Sequence, residues 1–215
     1  MESDLLSGVE YYALRPEMGA EQVREACELA LAEGLAGALV GGAFLEQASE
    51  ILIDSPTRLI AAVGFPLGIS ESDCKRFETE AAIDLGAAEI EVVFNLGLLR
   101  SDGGTLAHRE LRDVIEAAEI APVKVVLETT LMDEEEIAEA CRIACDAGAH
   151  FVKAGTGFYG DTTVADVETI GHAVESRALV AAGGGYREAN QVAALLAAGA
   201  QRVTTPFLND LLSDL

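Results

Sequence analysis

One local pattern recurs four times along this chain. A helical stretch closes on a glycine, and a short apolar run follows almost at once. It reads Glu33-Gly34-Leu35-Ala36-Gly37-Ala38-Leu39-Val40 and then Leu85-Gly86-Ala87-Ala88-Glu89-Ile90-Glu91-Val92-Val93. It returns as Ala147-Gly148-Ala149-His150-Phe151-Val152-Lys153 and as Ala198-Gly199-Ala200-Gln201-Arg202-Val203. Glycine suits the left-handed backbone position that closes a helix. The runs that follow are too apolar to face water on either side, which is the signature of parallel strands covered by helices.

The segments between complete the alternation. Further strand-like runs are Val9 to Tyr12, Arg58 to Val63, Val123 to Leu127 and Leu179 to Ala182. Helix-like runs are Glu21 to Glu33, Glu71 to Leu85, His108 to Glu119, Asp133 to Ala147, Val164 to Val174 and Glu188 to Ala198, with a last one from Leu208 to Leu215. Asp133-Glu134-Glu135-Glu136 sets acids at a helix start, where the macrodipole favours them. Eight alternating units in 215 residues predict an α/β fold, a (β/α)8 TIM barrel over residues 1–215 as one domain. A doubly wound open sheet is the alternative.

A barrel of this kind gathers its chemistry where strands end and helices begin. Glu91 and Asn95 stand at that edge on the fourth strand, and Glu128-Thr129-Thr130 follow the fifth. Lys153 and Gly155-Thr156-Gly157 stand on the sixth, and Gly183-Gly184-Gly185 follow the seventh. Strand alternation groups Glu91, Val93 and Asn95 on one face, Lys124, Val126 and Glu128 on another, and Phe151, Lys153 and Gly155 on a third. With those faces inward, two lysines and two glutamates share the interior.

Lysine is scarce here: Lys75, Lys124 and Lys153 are the whole set. An ammonium in an apolar strand is costly to bury, so Lys153 needs a partner or a job. The job that suits a buried amine is attack on a carbonyl. Glu91 is the candidate to move the protons, onto a leaving carbinolamine hydroxyl or off a water. The competing reading is a structural ion pair among Glu91, Lys124 and Lys153. The two glycine turns either cradle an anion on backbone amides or simply join strand to helix.

Composition narrows the partners. There are 37 acidic against 14 basic residues, a formal charge of −23, which opposes binding to nucleic acid or to an anionic membrane. Half of the residues are hydrophobic, which excludes a disordered acidic protein. Many acids with few lysines fit a surface adapted to very high salt better than an ordinary acidic enzyme. At 1 M salt the Debye length is only ~3 Å, so self-repulsion is tolerable. No stretch reads as a membrane span, and Met1-Glu2-Ser3-Asp4 does not open a signal peptide. Cys27, Cys74, Cys141 and Cys145 fall in helix-like segments without a metal-ligand set, so they read as reduced packing residues of a cytoplasmic protein. His108, His150 and His172 show no ligand spacing either. No metal or cofactor is expected.

Several segments resemble the deoxyribose-phosphate aldolases, a family of lysine-dependent (class I) aldolases. They are Val63-Gly64-Phe65-Pro66-Leu67-Gly68, Ala88 to Gly97, Val123 to Thr129, Gly148 to Phe158 and Ala181-Ala182-Gly183-Gly184. They follow the family's order over nearly the whole chain. The resemblance implies that Lys153 forms a Schiff base and that Glu91 relays protons. It also implies that the reaction reversibly cleaves 2-deoxyribose 5-phosphate, or a related sugar, to acetaldehyde and glyceraldehyde 3-phosphate. The partner is then a small aldehyde or sugar phosphate. Barrels of this kind often form homo-oligomers. Gly157, Gly183 and Gly184 match phosphate-binding positions, with Thr156 beside them. Lys124, Asn95 and Glu128 are candidate supports.

The departures are specific. The family's strand-four aspartate is Glu91 here, and Val180 is read at the position of its second active-site lysine. Glu10-Tyr11-Tyr12 replace Asp-His-Thr, and Gly41-Gly42 replace an Asn-Pro pair. The hydroxyl-rich turn after strand eight becomes Thr204-Thr205-Pro206-Phe207. Proline has no amide to donate. The resemblance therefore also admits an aldolase with a different carbonyl substrate, or a barrel that only binds a metabolite.

Overall fold

A computed structural model describes residues 5–215. Its eight strands close into one parallel barrel in sequence order. They are β1 Val9–Ala13, β2 Gly37–Val40, β3 Arg58–Val63, β4 Glu89–Val93, β5 Val123–Val126, β6 Phe151–Lys153, β7 Leu179–Gly183 and β8 Ala200–Thr205. β1 pairs with β2 on one side and β8 on the other, and this closure rules out the open doubly wound sheet.

The covering helices are α1 Ala20–Ala32, α2 Leu45–Leu52, α3 Ser72–Asp84, α4 Leu96–Asp102, α5 Thr105–Ala117, α6 Glu134–Ala147, α7 Val164–Val174, α8 Ala189–Ala197 and α9 Leu208–Asp214. The four glycines of the recurring motif, Gly34, Gly86, Gly148 and Gly199, all have positive φ, from 65° to 111°. Each ends its helix as the sequence pattern requires.

Two helices escape the sequence reading, and one starts early. α2 is eight residues long and has no side-chain cap; Leu45, Ala48 and Leu52 bury its single apolar face. α4 spans seven residues between the Asn95 cap and left-handed Gly103. α5 begins at Thr105 rather than His108, because the Asp102 carboxylate accepts from the amides of Gly104 and Leu106.

Outward strand residues such as Leu59, Ala61, Val63, Val92 and Val125 join the helices in the main core. The barrel interior is divided. On the β2–β3 side it is apolar, with Leu39, Ile60 and Ala62 packed under Tyr12 and Phe65. From β4 round to β1 it carries charge.

All three lysines are fully buried, so no lysine faces water. Lys75 lies outside the barrel, between α3 and α5. Its Nζ is 2.6 Å from the Glu110 carboxylate and donates to the Val93 carbonyl at 2.9 Å. Gly64 makes the space, since a Cβ there would stand 2.8 Å from Lys75 Cε. Burial pushes the Lys75 ammonium down from its usual lysine range, and the Glu110 carboxylate opposes it. Removing one member of such a pair strands a charge. Glu110→Ala is therefore expected to lower the unfolding free energy by about 3–5 kcal/mol in urea denaturation. The double variant Lys75→Met/Glu110→Leu should recover most of that loss. A single-variant loss no larger than that of an exposed pair would contradict this role.

Candidate active site

The inward face of β4 presents Glu89 and Glu91, and β5 presents Lys124 beside them, with Glu91 and Lys124 direct neighbours in register. β6 adds Lys153, level with Val126 of β5 and Ala181 of β7. Glu10 enters from β1 and Thr204 from β8, again as register neighbours.

These side chains form one buried network. Lys153 Nζ donates to Glu91 Oε1 at 2.7 Å. The other Glu91 oxygen lies 3.5 Å from Lys124 Nζ. Lys124 also meets Glu10 at 2.7 Å and Glu89 at 2.9 Å. Glu10 in turn accepts from Thr204 Oγ1 at 2.8 Å and lies 3.7 Å from Arg202 Nε. The Phe151 ring lies beneath Lys124 Nζ, 5.5 Å from its centroid.

Burial alone would drive Lys124 to lose its proton; the Glu10, Glu89 and Glu91 carboxylates outweigh it and hold its pKa above the usual lysine value. Burial likewise works against an ionised Glu10, but the Lys124 and Lys153 ammonium groups keep its pKa below the ordinary glutamate range. Lys124 is thus a fixed cation. Two acceptor atoms in the network, Glu89 Oε1 and Glu91 Oε2, receive no aligned hydrogen bond among the described residues.

Tyr12 stands at the mouth, edge-on to Phe65 with ring centroids 5.8 Å apart. Burial, with the Glu91 and Glu128 carboxylates nearby, pushes its phenol up to about 12, so it keeps its proton at neutral pH. Above Lys153 the two glycine turns touch. A Cβ on Gly157 would stand 3.1 Å from Gly184 Cα, and one on Gly183 would stand 2.6 Å from Lys153 Cε. The missing side chain at Gly183 is what lets Lys153 lie where it does. A pocket of about 230 Å³ opens over these turns, with Tyr12, Thr156, Gly157 and Gly184 on its wall.

A buried amine, a carboxylate in hydrogen-bond contact and a pocket over the neighbouring glycine turns suit carbonyl chemistry through a covalent imine. The DeoC/LacD family aldolase model matches residues 48–204 of the chain. The chain belongs to that family. A deoxyribose-phosphate aldolase from Streptococcus sanguinis is 40% identical over 198 residues, covering 92% of this chain and 90% of its own. One from a Geobacillus strain is 35% identical over 207 residues, covering 95% and 93%. Among solved structures, QR15, an aldolase, superposes with a TM-score of 0.92 at 29% identity, covering 98% of this chain and 95% of its own. The tetrameric deoxyribose phosphate aldolase of Aeropyrum pernix gives 0.92 at 27% identity, covering 99% and 91%.

Within this DeoC/LacD aldolase the candidate residues separate. Lys153, Glu91 and Lys124 come together. Glu128 stays outside that network: in a left-handed conformation (φ 63°), it accepts from the Thr156 amide at 2.7 Å. Asn95 turns away to cap α4, accepting from the Leu98 amide at 3.2 Å. Gly183 and Gly184 lie beside Lys153, but their amides are engaged, donating to Thr162 Oγ1 at 3.3 Å and to the Thr204 carbonyl at 3.1 Å.

Val180 needs correction. It packs in the outer core against the helices, and the inward neighbour of Lys153 on β7 is Ala181. A strand read one residue out of step swaps its faces. Sequence reasoning also passed over Glu10 and Glu89. Glu89 carried a usable signal, since it stands two residues from Glu91 and so shares its face. Val180→Lys is expected to lose about 1–3 kcal/mol of stability through overpacking and to gain no activity. Any gain from a second lysine should come from Ala181→Lys. Thermal unfolding and retro-aldol rates of the two variants decide this, and a faster Val180→Lys enzyme would contradict the geometry.

Proposed function

We propose that this chain is a class I aldolase in which Lys153 is the nucleophile and Glu91 the proton carrier. Its reaction is reversible cleavage of 2-deoxyribose 5-phosphate or a related 2-deoxy sugar. The observation that carries this reading is the 2.7 Å contact between two buried groups, Lys153 Nζ and Glu91 Oε1, next to the glycine turn whose Gly184 lines a pocket. The names of the curated relatives support the substrate class.

In the cleavage direction the Lys153 amine adds to the C1 carbonyl, and loss of water gives an iminium. The C2–C3 bond then breaks. Its electron pair moves into a C1–C2 enamine, the C3 hydroxyl loses its proton, and the three-carbon aldehyde leaves. Protonation at C2 and hydrolysis release acetaldehyde and restore the amine. These steps move protons at C1, at C2 and at the C3 hydroxyl, and Glu91 contacts the nitrogen that becomes bonded to C1. Among the described residues its second oxygen has no aligned donor to displace. Lys124, held as an ammonium, offsets negative charge on Glu91.

Lys153→Ala should abolish acetaldehyde release from 2-deoxy sugars. Glu91→Gln should slow it about 10²–10⁴-fold, the usual scale of general acid–base catalysis, while imine formation persists. Full turnover in the Lys153→Ala variant would overturn the reading.

The setting belongs to the same proposal. A surface without lysine and a net charge of −23 fit a protein that works in concentrated salt. The melting temperature should then rise steadily between low and molar KCl; a flat or falling response would refute adaptation to salt. Four unpaired cysteines fit a reducing cytoplasm, and the relatives' names fit a role in sugar breakdown. Association into a homo-oligomer is supported by the Aeropyrum pernix neighbour, described as tetrameric.

A further inference from the structure

The wall formed by the glycine turns is where a terminal phosphate would need donors, and most of its backbone amides, that of Gly157 apart, are already in use. Besides Gly183 and Gly184, the Gly185 amide donates to Asp161 Oδ1. The Thr156 amide is held by Glu128 at 2.7 Å, the Phe158 amide by Thr156 Oγ1 at 3.0 Å, and the Phe207 amide by Thr205 Oγ1 at 3.1 Å. Pro206 has none to give.

An acid and an aromatic ring line the space itself. The Asp161 carboxylate lies so close to the second glycine turn that a Cβ on Gly184 would stand 2.8 Å from its Oδ1. The Phe207 ring closes on Gly185, with Cε2 3.2 Å from a Cβ placed there. Arg187, which could have supplied charge, pairs with Asp210, and its guanidinium lies 3.2 Å above the Phe207 ring. Arg15 remains at the rim, half-exposed, with its Nε 3.7 Å from Glu17.

A phosphate entering this pocket would meet a carboxylate where it needs an N–H. We propose that Asp161 is a specificity-determining residue that fills the anion position with the protein's own carboxylate. The substrate is then an unphosphorylated 2-deoxy sugar, cleaved to acetaldehyde and a neutral hydroxyaldehyde. A carboxylate accepts hydrogen bonds from sugar hydroxyls and repels phosphate oxygens, so one group performs both the selection and the exclusion. The inference rests on the aldolase reading above and specifies which end group its substrate carries.

The test compares kcat/KM for retro-aldol cleavage of 2-deoxyribose and 2-deoxyribose 5-phosphate at equal ionic strength, in the wild type and Asp161→Asn. Asparagine keeps an oxygen for the Gly185 amide and removes one acid of 37, so the turn and the overall field are nearly preserved. The wild type should favour 2-deoxyribose at least tenfold. Asp161→Asn should move the ratio at least tenfold toward the phosphate, and Asp161→Asn/Phe207→Ser further. Equal rates, a preference for the phosphate, or an unchanged ratio in the variant would overturn the proposal.

Reductive trapping of acetaldehyde on the wild-type enzyme runs alongside. Trapping at Lys153 with neither sugar cleaved overturns this inference and leaves the aldolase reading standing. No trapping and no cleavage removes both.

Discussion

The structure turns on one carboxylate shared by two buried lysines. Glu91 reaches Lys153 with one oxygen and Lys124 with the other. Charges taken out of water are repaid only where partners and geometry are good, and replacing such groups with apolar residues is often neutral for stability. An interior holding Glu10, Glu89, Glu91, Lys124 and Lys153 is thus an expensive way to fill a barrel. The opposite side shows the cheaper solution, with Leu39, Ile60 and Ala62. The division locates the reaction as well as the charge. Lys124 is tied to three carboxylates and keeps its proton, whereas Lys153 is tied to one and lies against the Gly183 turn.

The fold supplies this arrangement through register and through missing atoms. Parallel pairing sets Glu91 beside Lys124, and Lys153 beside Ala181. Gly183 leaves room for the Lys153 side chain, and Gly157 lets the sixth-strand turn rest on Gly184. The same closeness explains the filled rim: with the turns packed backbone to backbone, Asp161 reaches across to Gly185.

Much of this is legible in the sequence, for identifiable reasons. Helix-closing glycines act locally, so Gly34, Gly86, Gly148 and Gly199 mark the repeat without tertiary information. Charges inside apolar runs expose themselves, which is why Lys153 and Glu91 stand out. α2 and α4 are too short for a periodic pattern to accumulate. Val180 and Ala181 exchange roles on a slip of one position, because strand faces reverse with every residue. Asn95 continues the alternation of β4 on paper, but the strand ends at Val93 and Asn95 becomes a helix cap. The contact of Asp161 with Gly185 joins two loops that only the closed barrel brings together, and no local signal announces it.

The most direct test of the central claim is chemical capture of the imine. The protein would be incubated with acetaldehyde and borohydride, digested, and mapped by mass spectrometry. An ethylated Lys153, with Lys75 and Lys124 unmodified, is the result this account predicts. Modification at Lys124 instead, or none at Lys153 under conditions that label a known class I aldolase, would contradict it.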